Sequence, residues 1–104
     1  MDLIDNNEEI KMITDTMRTF GIEIEFISEW SQAHTTHFLN QRIQELNGSV
    51  VVHEASWNDQ DSTKWRMKTD SSVQGNGNGL EIVSPVLKGQ EGYEQLQAIL
   101  DALN

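Results

Sequence analysis

The chain reads as an α+β domain: a four-stranded, mainly antiparallel sheet with helices laid over one face. Three observations predict this. Apolar and polar residues alternate through Gly21-Ile22-Glu23-Ile24-Glu25-Phe26, Lys64-Trp65-Arg66-Met67-Lys68 and Leu80-Glu81-Ile82, the period of a half-buried strand. Apolar residues recur at helical spacing after Ser31 and after Gly89, and each such helix must bury its stripe on another layer. With 104 residues, 37% of them hydrophobic and 23% charged, there is material for one core and a single domain over 1–104.

In chain order, residues 1–18 form an acidic segment in which Ile10, Ile13 and Met17 predict a short helix over about 8–17. Asn7 is its cap, and Glu8 and Glu9 lie in the first turn. A first strand follows over 19–27. Ser31 caps a helix whose stripe is Phe38, Ile43 and Leu46, and Asn47-Gly48 stops it. Val50-Val51-Val52 is β-branched and reads as a strand over 49–54. The polar loop 58–62 then joins it, as a hairpin, to the strand 64–68. Gly75 to Gly79 is a turn by composition, Leu80 to Ser84 a strand that Pro85 ends. A closing helix carries Tyr93, Leu96, Ile99, Leu100 and Leu103 on one face.

Seventeen acids against seven bases give a formal net charge of −10. Such a charge disfavours direct contact with nucleic acid or an anionic membrane and favours cations or a basic protein surface. The excess sits at the front: residues 1–29 carry Asp2, Asp5, Glu8, Glu9, Asp15, Glu23, Glu25 and Glu29 against Lys11 and Arg18 only. With no cysteine there is no disulfide, thiolate zinc site or cysteine nucleophile. No secretory leader pattern and no membrane-length apolar run is present, so a soluble, cytoplasmic protein is expected.

The chemistry concentrates in carboxylates. On an extended strand Glu23 and Glu25 point the same way, and two solvated charges side by side repel by ~1 kcal/mol, which a divalent cation relieves. Glu81 interrupts an apolar strand, and Asp70 follows the strand before it. Should these share one face, they offer the hard oxygens that Mg²⁺ or Mn²⁺ prefers. The bland alternative is the wet face of an amphipathic sheet. His34 and His37 lack a third ligand. Asp59 and Asp61 lack the glycine and closing glutamate of a calcium loop and read as a solvated hairpin tip. Trp30, Trp57 and Trp65 read as core or rim residues.

Taken together, Phe20-Gly21-Ile22-Glu23-Ile24-Glu25-Phe26, then Trp65 with Thr69-Asp70-Ser71-Ser72, then Leu80-Glu81-Ile82-Val83-Ser84-Pro85 with Gly89, Glu91 and Gly92, resemble the amidoligase family. These are carboxylate–amine ligases whose fold is similar to that of glutamine synthetase, and the resemblance spans 19–103. It implies that Glu23, Glu25, Asp70 and Glu81 line a metal and ATP site. It also implies a departure: family domains continue past this closing helix, into a half that supplies phosphate-binding and substrate-orienting residues. The expectation is therefore a truncated fold that has kept only the metal side.

Acyl-phosphate chemistry needs positive charge on the transferring phosphoryl group, and only Arg66 and Lys68 are local donors. Three functions follow as expectations. The first is a non-catalytic acidic binding or inhibitory protein that blocks a basic, nucleic-acid-binding surface of a partner, as phage-type anti-restriction or anti-CRISPR proteins do. It would use Asp2, Asp5, Glu8, Glu9, Asp15, Glu23, Glu25 and Glu29, backed by Glu54, Asp59 and Asp61, without catalytic residues. The second is an ATP- and Mg-dependent carboxylate–amine ligase completed by another chain or by self-association, the only case in which Mg²⁺ or Mn²⁺ and ATP are cofactors. The third is a purely structural domain.

Overall fold

Alternation along the second strand places Ile24 and Phe26 inward and Glu23, Glu25 and Ile27 outward, and the fold is built on that division. The computed structural model describes residues 18–70 and 77–104. The helix expected over 8–17 and the first part of the 75–79 turn lie outside them. The described elements are β1 (Thr19–Phe20), β2 (Glu23–Ser28), α1 (Gln32–Glu45), β3 (Val52–Glu54), β4 (Trp65–Thr69), β5 (Asn78–Val83), β6 (Leu87–Lys88) and α2 (Gly89–Leu103).

The four-stranded sheet runs β2-β5-β4-β3, and β1 pairs with β6 in a separate two-stranded ladder. The strand expected over 19–27 is thus split. Its partner explains the break: Pro85 stands between β5 and β6 and has no N–H to give a ladder. Phe20 pairs with Leu87 before the break and Glu23 with Val83 after it. At the step, Ser84 holds Ile22 from both sides, its Oγ accepting from the Ile22 N–H and its own N–H donating to the Ile22 carbonyl, each at 2.9 Å.

The expected hairpin between β3 and β4 is corrected. Those strands run parallel, Val52 opposite Trp65 and Glu54 opposite Met67, so the intervening loop carries the chain back to the starting end of β3 instead of turning it round. Side chains from elsewhere set this arrangement. Asn40 of α1 donates to the Val52 carbonyl and accepts from the Val52 N–H, both at 2.9 Å, covering the outer edge of β3 as a neighbouring strand would. Gln32 Nε2 donates to the carbonyls of Ala55 and Met67, pinning the ends of both strands.

Helix α1 starts where Ser31 Oγ accepts from the His34 N–H and stops where Asn47, at φ +63°, turns the chain so that the Gly48 N–H reaches the Ile43 carbonyl. Its buried face differs from expectation. Thr35, Thr36, Leu39 and Ile43 face inward, while Phe38 and Leu46 are exposed. The threonines tolerate burial because Thr36 donates to the Gln32 carbonyl and Thr35 shares a hydrogen bond with Ser28. Phe38 instead meets Trp30 edge-on at 5.0 Å, and Trp30 stacks on His34 at 4.6 Å.

The core joins Leu39 and Ile43 of α1, Ile99 and Ala102 of α2, Leu87 of β6, and Val52, Trp65, Met67, Leu80 and Ile82 of the sheet. Helix α2 buries Gly92, Ile99 and Ala102, leaving Leu100 and Leu103 at the margin of the stripe. Gly92 is needed for this approach: a Cβ there would lie 2.9 Å from Leu87 Cβ and 3.2 Å from the Leu87 carbonyl carbon. Gly92→Ala should lower stability by about 1–3 kcal/mol in chemical denaturation, despite alanine's better helix propensity. No helix among the described residues is long and apolar enough to cross a membrane.

Candidate functional site

With both helices packed on one face, the other carries the remaining set of side chains. Register brings Glu25 opposite Glu81 and Glu81 opposite Lys68, with Glu23 opposite Val83 and Val83 opposite Arg66 in the next row. The predicted common face for Glu23, Glu25 and Glu81 is therefore observed. Asp70 joins it just past the end of β4, where its N–H donates to the Gly79 carbonyl at 2.9 Å. Gly79 lies between Ile27 and Asp70 without a side chain.

Of the four expected ligands, three come together. Carboxylate oxygens of Glu25, Asp70 and Glu81 lie within 4.8 Å of one another. Glu23 stands on the same face but outside that group, close enough to Glu81 to favour its protonated form. Asp70 and Glu81 are half-buried and Glu25 exposed, and the Glu81 carboxyl titrates above the ordinary glutamate range. Burial is the largest cause, followed by the hydrogen bond with Glu23 and by repulsion from Glu23, Asp70 and Glu25. The three acids line a cleft of about 810 Å³ together with Trp57, Thr69, Gly77, Asn78 and Gly79. No lysine, arginine or histidine lines it among the described residues. The narrow backbone crossing at its rim demands glycine: Gly77 has φ +141°, and a Cβ there would lie 2.7 Å from the Ser28 carbonyl oxygen.

The two local cations are on the same face but are engaged. Arg66, 7% exposed, donates to three carbonyls: Lys64 through Nε, Asp59 through Nη1 and Ser84 through Nη2. Its Nη1 also lies 3.6 Å from the Asp59 carboxylate. Lys68 Nζ donates to the same Asp59 carbonyl at 2.9 Å. The loop between β3 and β4 is thus sewn onto the open face. Asp59 and Asp61 are solvent-accessible as expected but sit in a parallel-strand crossover, not at a hairpin tip: Asp59 Oδ1 accepts from the Asp61 N–H, and Asp61 accepts from the hydroxyl and N–H of Thr63, which hold its carboxyl below the usual aspartate range.

Among the other expected acids, Glu29 and Glu54 are exposed, and Asp2, Asp5, Glu8, Glu9 and Asp15 lie outside the described residues. His34 stacks on Trp30, and His37 is exposed on α1. Trp57 is the residue that sequence reasoning under-read, since nothing in its neighbourhood distinguishes it from a rim tryptophan. Alternation accounts for the face shared by Glu23, Glu25 and Glu81, whereas Asp70 lies beyond its strand.

Comparison with known proteins supplies a family. The family model described as "Putative amidoligase enzyme" matches residues 16–104, which include every residue of the carboxylate face described above. No curated protein and no solved structure gives a significant match.

Proposed function

The chain belongs to the amidoligase family, and from that premise we propose that its open sheet face is the divalent-cation and nucleotide side of an ATP-dependent carboxylate–amine ligase. One observation carries the reading: three carboxylates from two strands and a strand end converge within 4.8 Å in one cleft. The donor set suits the ion. Ligand oxygens at about 2.0–2.6 Å from Mg²⁺, Mn²⁺ or Ca²⁺ stand at most ~5 Å apart across it, and all-carboxylate oxygen is the hard environment such ions select.

Glu25, Asp70 and Glu81 would hold the cation, with Glu23 beside them on the same face adding negative charge. Bound there, a cation would neutralise phosphate charge as an acyl-phosphate forms. The chain's own part is to fix three carboxylates on a rigid sheet and to keep Arg66 and Lys68 out of competition by tying them to Asp59. The rest of the ligation chemistry, including acceptor positioning, has no candidate residues on this face.

The alternative of an acidic inhibitor of a basic partner rests on net charge, and no geometric feature favours it. Two of its named acids, Asp59 and Asp61, spend carboxylate oxygens on their own loop. Calorimetric titration with ATP separates the readings. Binding is expected with Mg²⁺ and lost in EDTA or in Glu25→Gln; ATP affinity indifferent to EDTA would contradict the proposal.

A further inference from the structure

Trp57 is 72% exposed, the most exposed large hydrophobic residue among those described. Its ring meets no other aromatic ring among the described residues, unlike Trp30, and it is not core like Trp65. An indole left in water forgoes most of the burial that stabilises such side chains. Yet the loop carrying it is firmly held. Ala55 N–H donates to the Met67 carbonyl, Asp59 N–H to the Ser56 carbonyl, and Val86 N–H to the Ser62 carbonyl, while Arg66 and Lys68 converge on Asp59. The ring is presented in a fixed place, and that place is the wall of the carboxylate cleft.

The cleft's volume, about 810 Å³, falls in the ~300–1,000 Å³ range of small-molecule sites and far exceeds the needs of an ion. Its lining is anionic or neutral. Among the described lining residues, then, a phosphate-bearing ligand would find positive charge through a cation on the carboxylates. The rest of its affinity must come from an uncharged surface, and the exposed indole face is the large one available.

We infer that Trp57 is the platform on which the base of a nucleoside triphosphate stacks while its phosphates reach toward the Glu25, Asp70 and Glu81 carboxylates. This rests on the metal–nucleotide reading and adds to it the residue that distinguishes a nucleotide from bare polyphosphate. Stacking is tolerant of base identity, so adenine and guanine nucleotides should bind comparably.

The test compares Mn²⁺ alone, Mn²⁺–ATP and Mn²⁺–tripolyphosphate on the wild type, Trp57→Leu and Trp57→Phe by calorimetry, and follows the wild-type Trp57 indole N–H resonance with diamagnetic Mg²⁺–ATP. The wild type is expected to bind Mn²⁺–ATP more tightly than Mn²⁺–tripolyphosphate. Trp57→Leu should weaken Mn²⁺–ATP about tenfold, leaving Mn²⁺ and Mn²⁺–tripolyphosphate unchanged, and Trp57→Phe should restore most of the loss. Unchanged Mn²⁺–ATP affinity in Trp57→Leu, with Mn²⁺ still bound, overturns the stacking assignment alone. An indole signal that shifts with tetramethylammonium but not with Mg²⁺–ATP also overturns it, in favour of a cation seat. Absence of Mn²⁺ binding to the wild type overturns the metal reading itself.

Discussion

Arg66→Met is expected to lower stability by ~3 kcal/mol. The guanidinium joins three chain segments by donating to the carbonyls of Asp59, Lys64 and Ser84, and it is almost fully buried while doing so. Methionine fills much of the same volume but removes the donor to the Lys64 and Ser84 carbonyls, at about 1–3 kcal/mol for each one left buried and unsatisfied, while the Asp59 carbonyl keeps Lys68. The Asp59 carboxylate, about one-third exposed, recovers hydration and softens the loss. Lysine should not rescue, because one ammonium on a flexible stem cannot reproduce a planar fork aimed at three carbonyls. Urea denaturation of Arg66→Met and Arg66→Lys checks this. A loss below about 1 kcal/mol in both would show that the loop is held by its own turns.

Glu81→Gln should act in opposite directions on stability and on metal affinity. The folded state raises the proton affinity of Glu81 above that of the unfolded chain, so between the unfolded and folded pKa values the folded protein binds more protons. Stability at this site therefore falls as pH rises through that interval. Glutamine removes the charge that is resisted. The metal-free variant should be more stable than the wild type by ~1 kcal/mol at neutral pH, with the difference closing as the pH falls toward the ordinary glutamate value. Mn²⁺ affinity should drop at least tenfold, roughly the scale of losses at metal-site positions. In the wild type, Mn²⁺ should weaken on acidification as protons compete for Glu81. Denaturation across pH, with Mn²⁺ titrations alongside, measures both. A destabilised neutral-pH variant that binds Mn²⁺ normally would place Glu81 in a purely structural role.

Much of this face was legible in the sequence because strand alternation is strict. Once Ile24, Phe26, Leu80 and Ile82 belong to the core, Glu23, Glu25 and Glu81 have nowhere else to point. Capping chemistry located α1 equally well, with Ser31 at its start and Asn47-Gly48 at its end. The failures share a cause, which is dependence on partners distant in the chain. Phe38 and Leu46 look like a buried stripe until Thr35 and Thr36 satisfy their hydroxyls and take the inner face. A polar segment between two strands looks like a hairpin tip, and only Asn40, Gln32 and Arg66 reveal that it carries the chain into a parallel register. That reversal brings Trp57 to the cleft. A linear reading of Trp57-Asn58-Asp59 has no signal for it.

A formal −10 suggests a basic partner, yet the described acids include three gathered at one point and two committed to a loop. Burial, and after it the neighbouring carboxylates, raise the proton affinity of Glu81, an effect that a bound cation would oppose.

The most direct test is paramagnetic broadening by Mn²⁺ of the backbone amide resonances. At substoichiometric Mn²⁺, the signals of Glu25, Asp70 and Glu81 should vanish first and return with EDTA, while those of Glu91, Glu94 and Asp101 on α2 persist. Broadening spread evenly over the acids of both faces would contradict a site on the open sheet.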